Sequence, residues 1–352
     1  MIRNRILLLL VFSTALFNDA AAQIGGGSTF QFLSMPASAR VSALGGASIA
    51  LSDDDLNMTL QNPALASPKM HNNLSLTYVP YFADITCGYT SYARHFKKIG
   101  TAYAGMQYVN YGKFNLADET GVVSDKFTAS EYALHTGISH RIDSLFTIGI
   151  DLKNIFSALD VYRSYGIAVD FGISYYSRKH LVGAALVAKN TGKQLKSYNS
   201  KNKEPLPFEI QLGFFKQLKH VPLRFSMCLT QMQKFDLTWT DPSNPDPIVD
   251  PLTGDSIPPQ KFSKFIDKCA RHLVFGAEFM PTKNFFVRLG YNYQRRQELK
   301  LESRMAMVGF SWGFGVRISK FQISYGRATY HLAGASNHFT VTTDLSSFNF
   351  KK

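Results

Sequence analysis

Phe146-Thr147-Ile148-Gly149-Ile150-Asp151-Leu152-Lys153 changes between apolar and polar at every step. A period of two puts Phe146, Ile148, Ile150 and Leu152 on one face of a strand and Thr147, Gly149, Asp151 and Lys153 on the other. The register recurs downstream. Tyr165, Ile167, Val169, Phe171, Ile173 and Tyr175 oppose Gly166, Ala168, Asp170, Gly172, Ser174 and Tyr176, and Phe208, Ile210, Leu212 and Phe214 oppose Glu209, Gln211 and Gly213. A soluble β-sandwich also alternates, but its strands are usually about 5–6 residues long. These runs are longer, and they suit the roughly 9–11 residues of a tilted transmembrane strand with apolar side chains to lipid and polar ones to a lumen.

Working outward, fourteen such runs begin near Asn73, Ile85, Thr101, Ala129, Phe146, Tyr162, Leu181, Phe208, Leu223, Arg271, Phe285, Arg304, Phe321 and His338. An even count suits a closed bacterial barrel. The long links, Tyr111 to Phe127, Thr191 to Pro207, Asp236 to Ala270 and Arg296 to Glu302, all fall in one alternate set. Short periplasmic turns and longer extracellular loops give that sidedness. The expected fold is an all-β, 14-stranded antiparallel transmembrane barrel of the outer membrane (residues 73–352, with a long surface loop 236–270) carrying an N-terminal lumenal plug (23–72). Outward aromatics such as Trp312, Phe314 and Tyr325 read as lipid-facing or girdle residues, and Phe350, two lysines from the end, as the aromatic of the last strand.

Arg3 and Arg5 precede an apolar stretch from Ile6 to Phe17, and Ala20-Ala21-Ala22 offers small residues for cleavage, so residues 1–22 read as a secretory signal peptide. No apolar run downstream reaches the roughly 18 residues of a transmembrane helix. The net charge of +13 is scattered over turns, loops and lumen with no basic helix, which argues against nucleic acid and suits contact with lipopolysaccharide or an acidic partner. Cys87, Cys228 and Cys269 have no metal or redox spacing. Alternation turns Cys87 toward lipid and Cys228 toward the lumen. Ser200-Lys201-Asn202-Lys203 matches Ser-x-x-Lys by chance in a polar loop, and no Gly-x-Ser-x-Gly or His-Glu-x-x-His occurs. His135, His140, His272 and His338 stand alone on strands. The chain reads as a non-enzyme without cofactor or metal.

Residues 24–70 do not alternate. Phe30 to Arg40, Ala43-Leu44-Gly45-Gly46, Ser52-Asp53-Asp54-Asp55 and Asn62-Pro63-Ala64 suggest a compact plug, with glycines for close approach, Asp as a helix cap and Pro63 ending a helix. A barrel of this size leaves a lumen to fill. Arg40 and the Asp53 to Asp55 cluster are expected to pair with lumenal Glu131, Asp170, Glu209, Arg224, Glu278 and Arg288. A disordered periplasmic leader is the alternative, against which the apolar content stands. The glycine pairs lack phosphate-loop spacing, and consecutive aspartates lack the EF-hand pattern.

On Phe32 to Arg40 with Pro36, on Gly45 and Gly46, on the cluster around Asp54, and on Asn62 and Pro63, the chain resembles the PorQ family of type IX secretion outer-membrane proteins, within the PorV and FadL-like barrel group. The match is dense over residues 30–65. The resemblance implies a noncatalytic surface role, in which the barrel holds a PorZ-like surface protein in an attachment complex with PorU-like and PorV-like partners.

Two functions follow as expectations. The first is a scaffold, for which the loop of 236–270 offers Pro242, Pro245, Pro247, Pro251, Pro258 and Pro259, an acidic half with Asp241, Asp246, Asp250 and Asp255, and a basic half with Lys261, Lys264 and Lys268. Proline narrows the unfolded ensemble, so such a loop orders against a partner at lower entropic cost. The second is a FadL-like channel for hydrophobic solutes, which needs an apolar lumenal pocket.

Overall fold

The structure is a computed structural model. It describes residues 27–82, 84–117, 123–199, 203–238, 248–249, 256–257, 261–299, 307–331 and 334–348. Residues 1–22, Phe350, and Asp241, Asp246, Asp250 and Asp255 lie outside these.

Alternating sequence becomes β1 (Asn73–Pro80), β2 (Thr86–Phe96), β3 (Gly100–Ala117), β4 (Val123–Arg141), β5 (Phe146–Leu159), β6 (Tyr162–Ser177), β7 (Val182–Lys196), β8 (Glu209–Gln217) and β9 (Leu223–Leu229). A two-residue ladder, β10 (Ile248–Val249) with β11 (Ser256–Ile257), intervenes. Then follow β12 (Leu273–Thr282), β13 (Phe285–Asn292), β14 (Phe310–Ile318), β15 (Phe321–His331) and β16 (Gly334–Asp344). Fourteen of these form one closed antiparallel barrel, and β1 shuts it against β16 with Asn73 opposite Asp344 and Tyr78 opposite Phe339.

Burial is inverted relative to a water-soluble protein. Ile148, Ile150, Phe171, Leu186, Phe225, Phe275, Leu289, Trp312 and Phe314 are exposed, whereas Asp151, Lys153, Asp170, Glu278 and Arg288 are buried. An apolar exterior with polar groups facing inward is the pattern of a barrel solvated by lipid.

The wall is uneven. β3 to β7 are 14 to 19 residues long, whereas β8, β9, β12, β13 and β14 are 7 to 10. A strand of the β4 length extends about 63 Å at ~3.3 Å per residue, well beyond an apolar band of ~25 Å even when tilted. The tight turns keep one end of the barrel level, so the excess rises on the loop side. The expected link from Tyr111 to Phe127 is accordingly mostly ladder. Lys113 pairs with Thr128 and Leu116 with Asp125 beyond a bulge, and the Phe114 ring stacks on Phe127.

Residues 27–72 pack inside this wall as short turns. Asn57 receives a hydrogen bond from Ser75 on β1 and reaches Thr342 on β16, and the Ala39 N–H donates to Thr340 on β16. The segment therefore bonds to both sides of the closing seam. Inward glycines make room for it: a side chain at Gly149 would strike Pro63, one at Gly213 would strike Ile49, and one at Gly326 would strike Ala39.

Two expectations fail locally. Cys87 is fully buried between its ladder partners Val79 and Val109 rather than turned to lipid, because β2 opens Thr86-Cys87-Gly88-Tyr89, where no clean alternation fixes the register and a slip of one reverses every face. Pro63 opens a turn rather than ending one. It is the first residue of Pro63–Leu65, whose cap Asn62 accepts from the Ala64 N–H at 3.0 Å, and a missing N–H costs nothing at that position.

Candidate functional site

Arg40 organises the interior. It lies on the five-residue helix Ala39–Ala43, whose Ser38 cap accepts from the Val41 N–H. Its guanidinium donates to Glu278 through Nε (2.9 Å) and Nη2 (3.0 Å), to Asp53 through Nη1 (3.0 Å) and Nη2 (2.7 Å), and to Asp55 through Nη1 (3.1 Å). Those five bonds use the whole donor capacity of arginine. Glu278 on β12 stands opposite Arg224 on β9 and Arg288 on β13, so strand register delivers both arginines to one carboxylate. Arg224 Nε reaches Glu278 at 2.8 Å and its Nη2 reaches Asp53 at 3.1 Å, while Arg288 Nε reaches Glu278 at 3.0 Å. Three cations thus meet three anions, with side chains almost fully withdrawn from water except at Asp53. Burial alone would raise the Asp53 carboxyl, but Arg40 and Arg224 hold it down at about 2.

Of the expected lumenal partners, Arg224, Glu278 and Arg288 join Arg40, whereas Glu131, Asp170 and Glu209 do not. Glu131 accepts from the Tyr111 hydroxyl, Asp170 pairs with Lys153 at 2.7 Å, and Glu209 accepts from the Gln231 N–H. Within the aspartate cluster the central residues are Asp53 and Asp55. Asp54 points to the rim and meets Arg317 at 3.4 Å with both side chains exposed.

The remaining motif residues fit the segment to the wall. Phe32 is buried and its carbonyl accepts from Gln107 on β3. Gly45 and Gly46 have φ of +94° and +96°, where L side chains are strained, and Gly46 lies against Pro36 and Arg295. Asn62 also donates to the Ile49 carbonyl at 2.9 Å.

A second network lies under the tall wall. Lys153 joins Asp170 and donates to Asn190 at 2.7 Å, the Asn190 N–H donates to Asp170 at 2.7 Å, and His135 meets Asp151 at 2.8 Å. Beside it, the wall bonds to the N-terminal segment through Lys189 to Gln61 at 3.2 Å, the Tyr103 hydroxyl to the Thr59 carbonyl at 3.3 Å and Ser139 to the Ala66 carbonyl at 2.6 Å. Cavities remain at both ends of the filled lumen. One of about 580 Å³ at the turn end includes Asp53, Lys69 and Arg141 in its lining, and one of about 310 Å³ at the loop end includes Glu209, Gln211 and Arg295.

At the loop end, the helix Lys261–Arg271 was not foreseen from the sequence. Phe262, Phe265, Ile266 and Cys269 recur at helical spacing between lysines, a signal masked by the proline-rich loop before it. The helix is anchored by Asp267, which pairs with Arg271 and accepts from the Tyr293 hydroxyl at 2.8 Å, and by Lys268, which pairs with Asp236. Hydrogen bonds from Lys268 and Thr238 hold the Asp236 carboxyl well below its usual range. Among the expected partner-facing lysines, Lys264 is exposed on this helix and Lys261 begins it. Cys87, Cys228 and Cys269 are all free thiols, and among the described residues no three His, Cys, Asp or Glu gather as metal ligands.

No family model and no curated protein matches the chain. Solved structures do. The toluene transporter TodX of Pseudomonas putida shares 12% identity and a TM-score of 0.50 over 87% of this chain and 96% of its own. A FadL homologue of Pseudomonas aeruginosa shares 10% at 0.49 over 87% and 98%, and the CymD monoaromatic hydrocarbon channel 12% at 0.45 over 87% and 95%. The chain is an outer-membrane β-barrel with the fold of TodX.

Proposed function

We propose that the chain is a plugged, noncatalytic outer-membrane anchor whose surface loops hold a protein partner, as the PorQ resemblance implies for a PorZ-like protein beside PorU-like and PorV-like components. The observation that carries this reading is the occupied lumen. Residues 27–72 fill it and are tied to β12 through Arg40 and to β9 through Asp53. Breaking a buried ion network of this kind costs about 3–5 kcal/mol per uncompensated charge, so the segment is a fixture rather than a gate that opens thermally. A barrel so filled presents its loops as its working surface, and the proline-rich stretch of 236–260 is the longest of them.

The test replaces residues 240–262 by a short Gly-Ser linker and purifies the tagged, full-length barrel from gently solubilised outer membranes. The expected result is an inserted barrel that no longer copurifies a large surface protein. Retention of that protein at the wild-type ratio overturns the assignment.

A FadL-like channel for hydrophobic solutes is the second reading, and the likeness in fold to a toluene transporter supports it better than it supports the anchor. It requires a path for apolar molecules past the segment. The cavities at the two ends carry charged groups, including Asp53, Lys69 and Arg141 at one end and Glu209 and Arg295 at the other, whereas an apolar cavity of about 830 Å³ lies against the low wall beside Phe225, Phe275, Leu289 and Trp312. Recovery of the purified barrel with bound fatty acid or aromatic hydrocarbon, and without a protein partner, decides for the channel.

A further inference from the structure

The low side of the wall brings a surface helix to the level of the membrane. β9 and β13 have 7 and 8 residues, fewer than the roughly 9–11 that a tilted strand needs to cross the hydrocarbon core. The segments that continue these strands at the loop end therefore begin within the outer leaflet instead of above it. Those segments are residues 230–238 and the helix Tyr293–Leu299; the helix Lys261–Arg271 runs into the 10-residue β12, whose loop end at Leu273 is level with Leu229, the last residue of β9. They expose an apolar patch: Met232, Phe235, Phe265 and Ile266 are 45–57% accessible, and the rings of Phe235 and Phe265 lie 6.0 Å apart. The patch continues the outward-facing belt of Met227, Phe275 and Phe310 on the strands below. Lys234 and Lys264 flank it, and neither forms an ion pair among the described residues.

We propose that this patch is a docking surface for the phosphate-bearing glycolipid of the outer leaflet, a lipopolysaccharide, with Phe235, Phe265 and Ile266 among its acyl chains and Lys234 and Lys264 on its phosphates. An amphipathic helix with lysines beside an apolar face lies in the interfacial plane in this way. Charge complementarity favours an anionic lipid over a zwitterionic one, each lysine at the surface contributing about 1 kcal/mol. The proposal divides the long loop. Its helical end faces lipid, whichever partner meets the proline-rich part. It stands independently of the anchor reading, since either an anchor or a channel can carry a lipid-seated helix.

The test uses the full-length chain in lipid nanodiscs. An environment-sensitive fluorophore is attached at Ile266→Cys in a Cys269→Ser background, Cys87 and Cys228 being buried. Glu204→Cys, exposed on the tall side, is the control. Brominated acyl chains are expected to quench the label at 266 at least about threefold more than the control, and aqueous iodide to do the reverse. Equal access of iodide to both labels overturns the proposal, as does shielding at 266 that appears only when a surface protein copurifies. In a second arm, Lys234→Glu with Lys264→Glu is expected to lower copurifying lipopolysaccharide about tenfold or more, with barrel content unchanged by circular dichroism. Unchanged retention overturns the assignment of the phosphates to these lysines.

Discussion

The two charged networks inside the barrel differ in what they join. The one around Arg40 and Glu278 takes half of its members from the N-terminal segment and half from the low wall. The one around Lys153 and Asp170 draws its ion pairs from β4, β5 and β6 alone, and the segment meets this side through hydrogen bonds of Gln61, Thr59 and Ala66 rather than through charges of its own. Both are buried, so burial does not tell them apart. The first fastens a guest to its host, and the second braces the host against itself. A tall wall of 14 to 19 residues per strand has ladder enough to hold its own charges, whereas the short strands opposite are completed by the segment.

The largest effect that tests this contrast is expected from Glu278→Ala, which leaves Arg40, Arg224 and Arg288 without their shared carboxylate. A loss of about 3–5 kcal/mol should follow, with trypsin gaining access at Arg40 while the barrel still migrates as a folded band. A segment that stays protected would break the distinction. Asp170→Asn is expected to cost less, about 3 kcal/mol, because Lys153 keeps Asn190. Here denaturant should unfold the wall sooner while Arg40 remains protected from protease in the native barrel.

Acid should act on the first network at Asp53. Its folded-state value of about 2 lies below the ordinary ~3.9 of an unfolded aspartate. The stabilisation is fully present above that ordinary value and is lost as pH falls through the folded one. Pepsin cleavage within residues 38–58 is therefore expected to rise between about pH 4 and pH 2, and the rise should vanish in Asp53→Asn. Asp54→Asn is expected to change stability by less than about 1 kcal/mol, since its pair with Arg317 is exposed. A larger change in the unfolding midpoint would place the rim pair inside the network.

Strand number, closure and the facing of most side chains were legible because a period of two is enforced by lipid on one side and polar contacts on the other. Asp151, Lys153 and Asp170 are where alternation puts them. The outer ends of β3 and β4 were not legible. Lys113, Phe114, Asn115 and Leu116 do alternate, but the bulge between Asn110 and Lys113 breaks their register with the strand below, and Tyr111-Gly112 reads as the start of a loop. Arg40 was identified through its motif, but its partners could not be chosen from six lumenal charges without the cross-strand register that aligns Arg224, Glu278 and Arg288. Glu278 and the inward glycines that cradle the segment were accordingly underweighted, since glycine on a polar face reads equally as mere smallness.

The bonds from Asn57 to Ser75 and toward Thr342, and from Ala39 to Thr340, bear on the order of events during biogenesis. β1 and β16 are the first and last strands to be made, and their pairing is the final step of closure. A segment that touches both is positioned to clasp the two ends before the ring shuts, and a finished ring offers no lateral entrance for it afterwards. Residues 27–72 are therefore expected to serve as an internal template that arrives with the first strand and meets the last. Removing them is expected to slow the gain of heat-resistant migration after synthesis; unaltered kinetics in a pulse-chase would show that the strands find each other unaided.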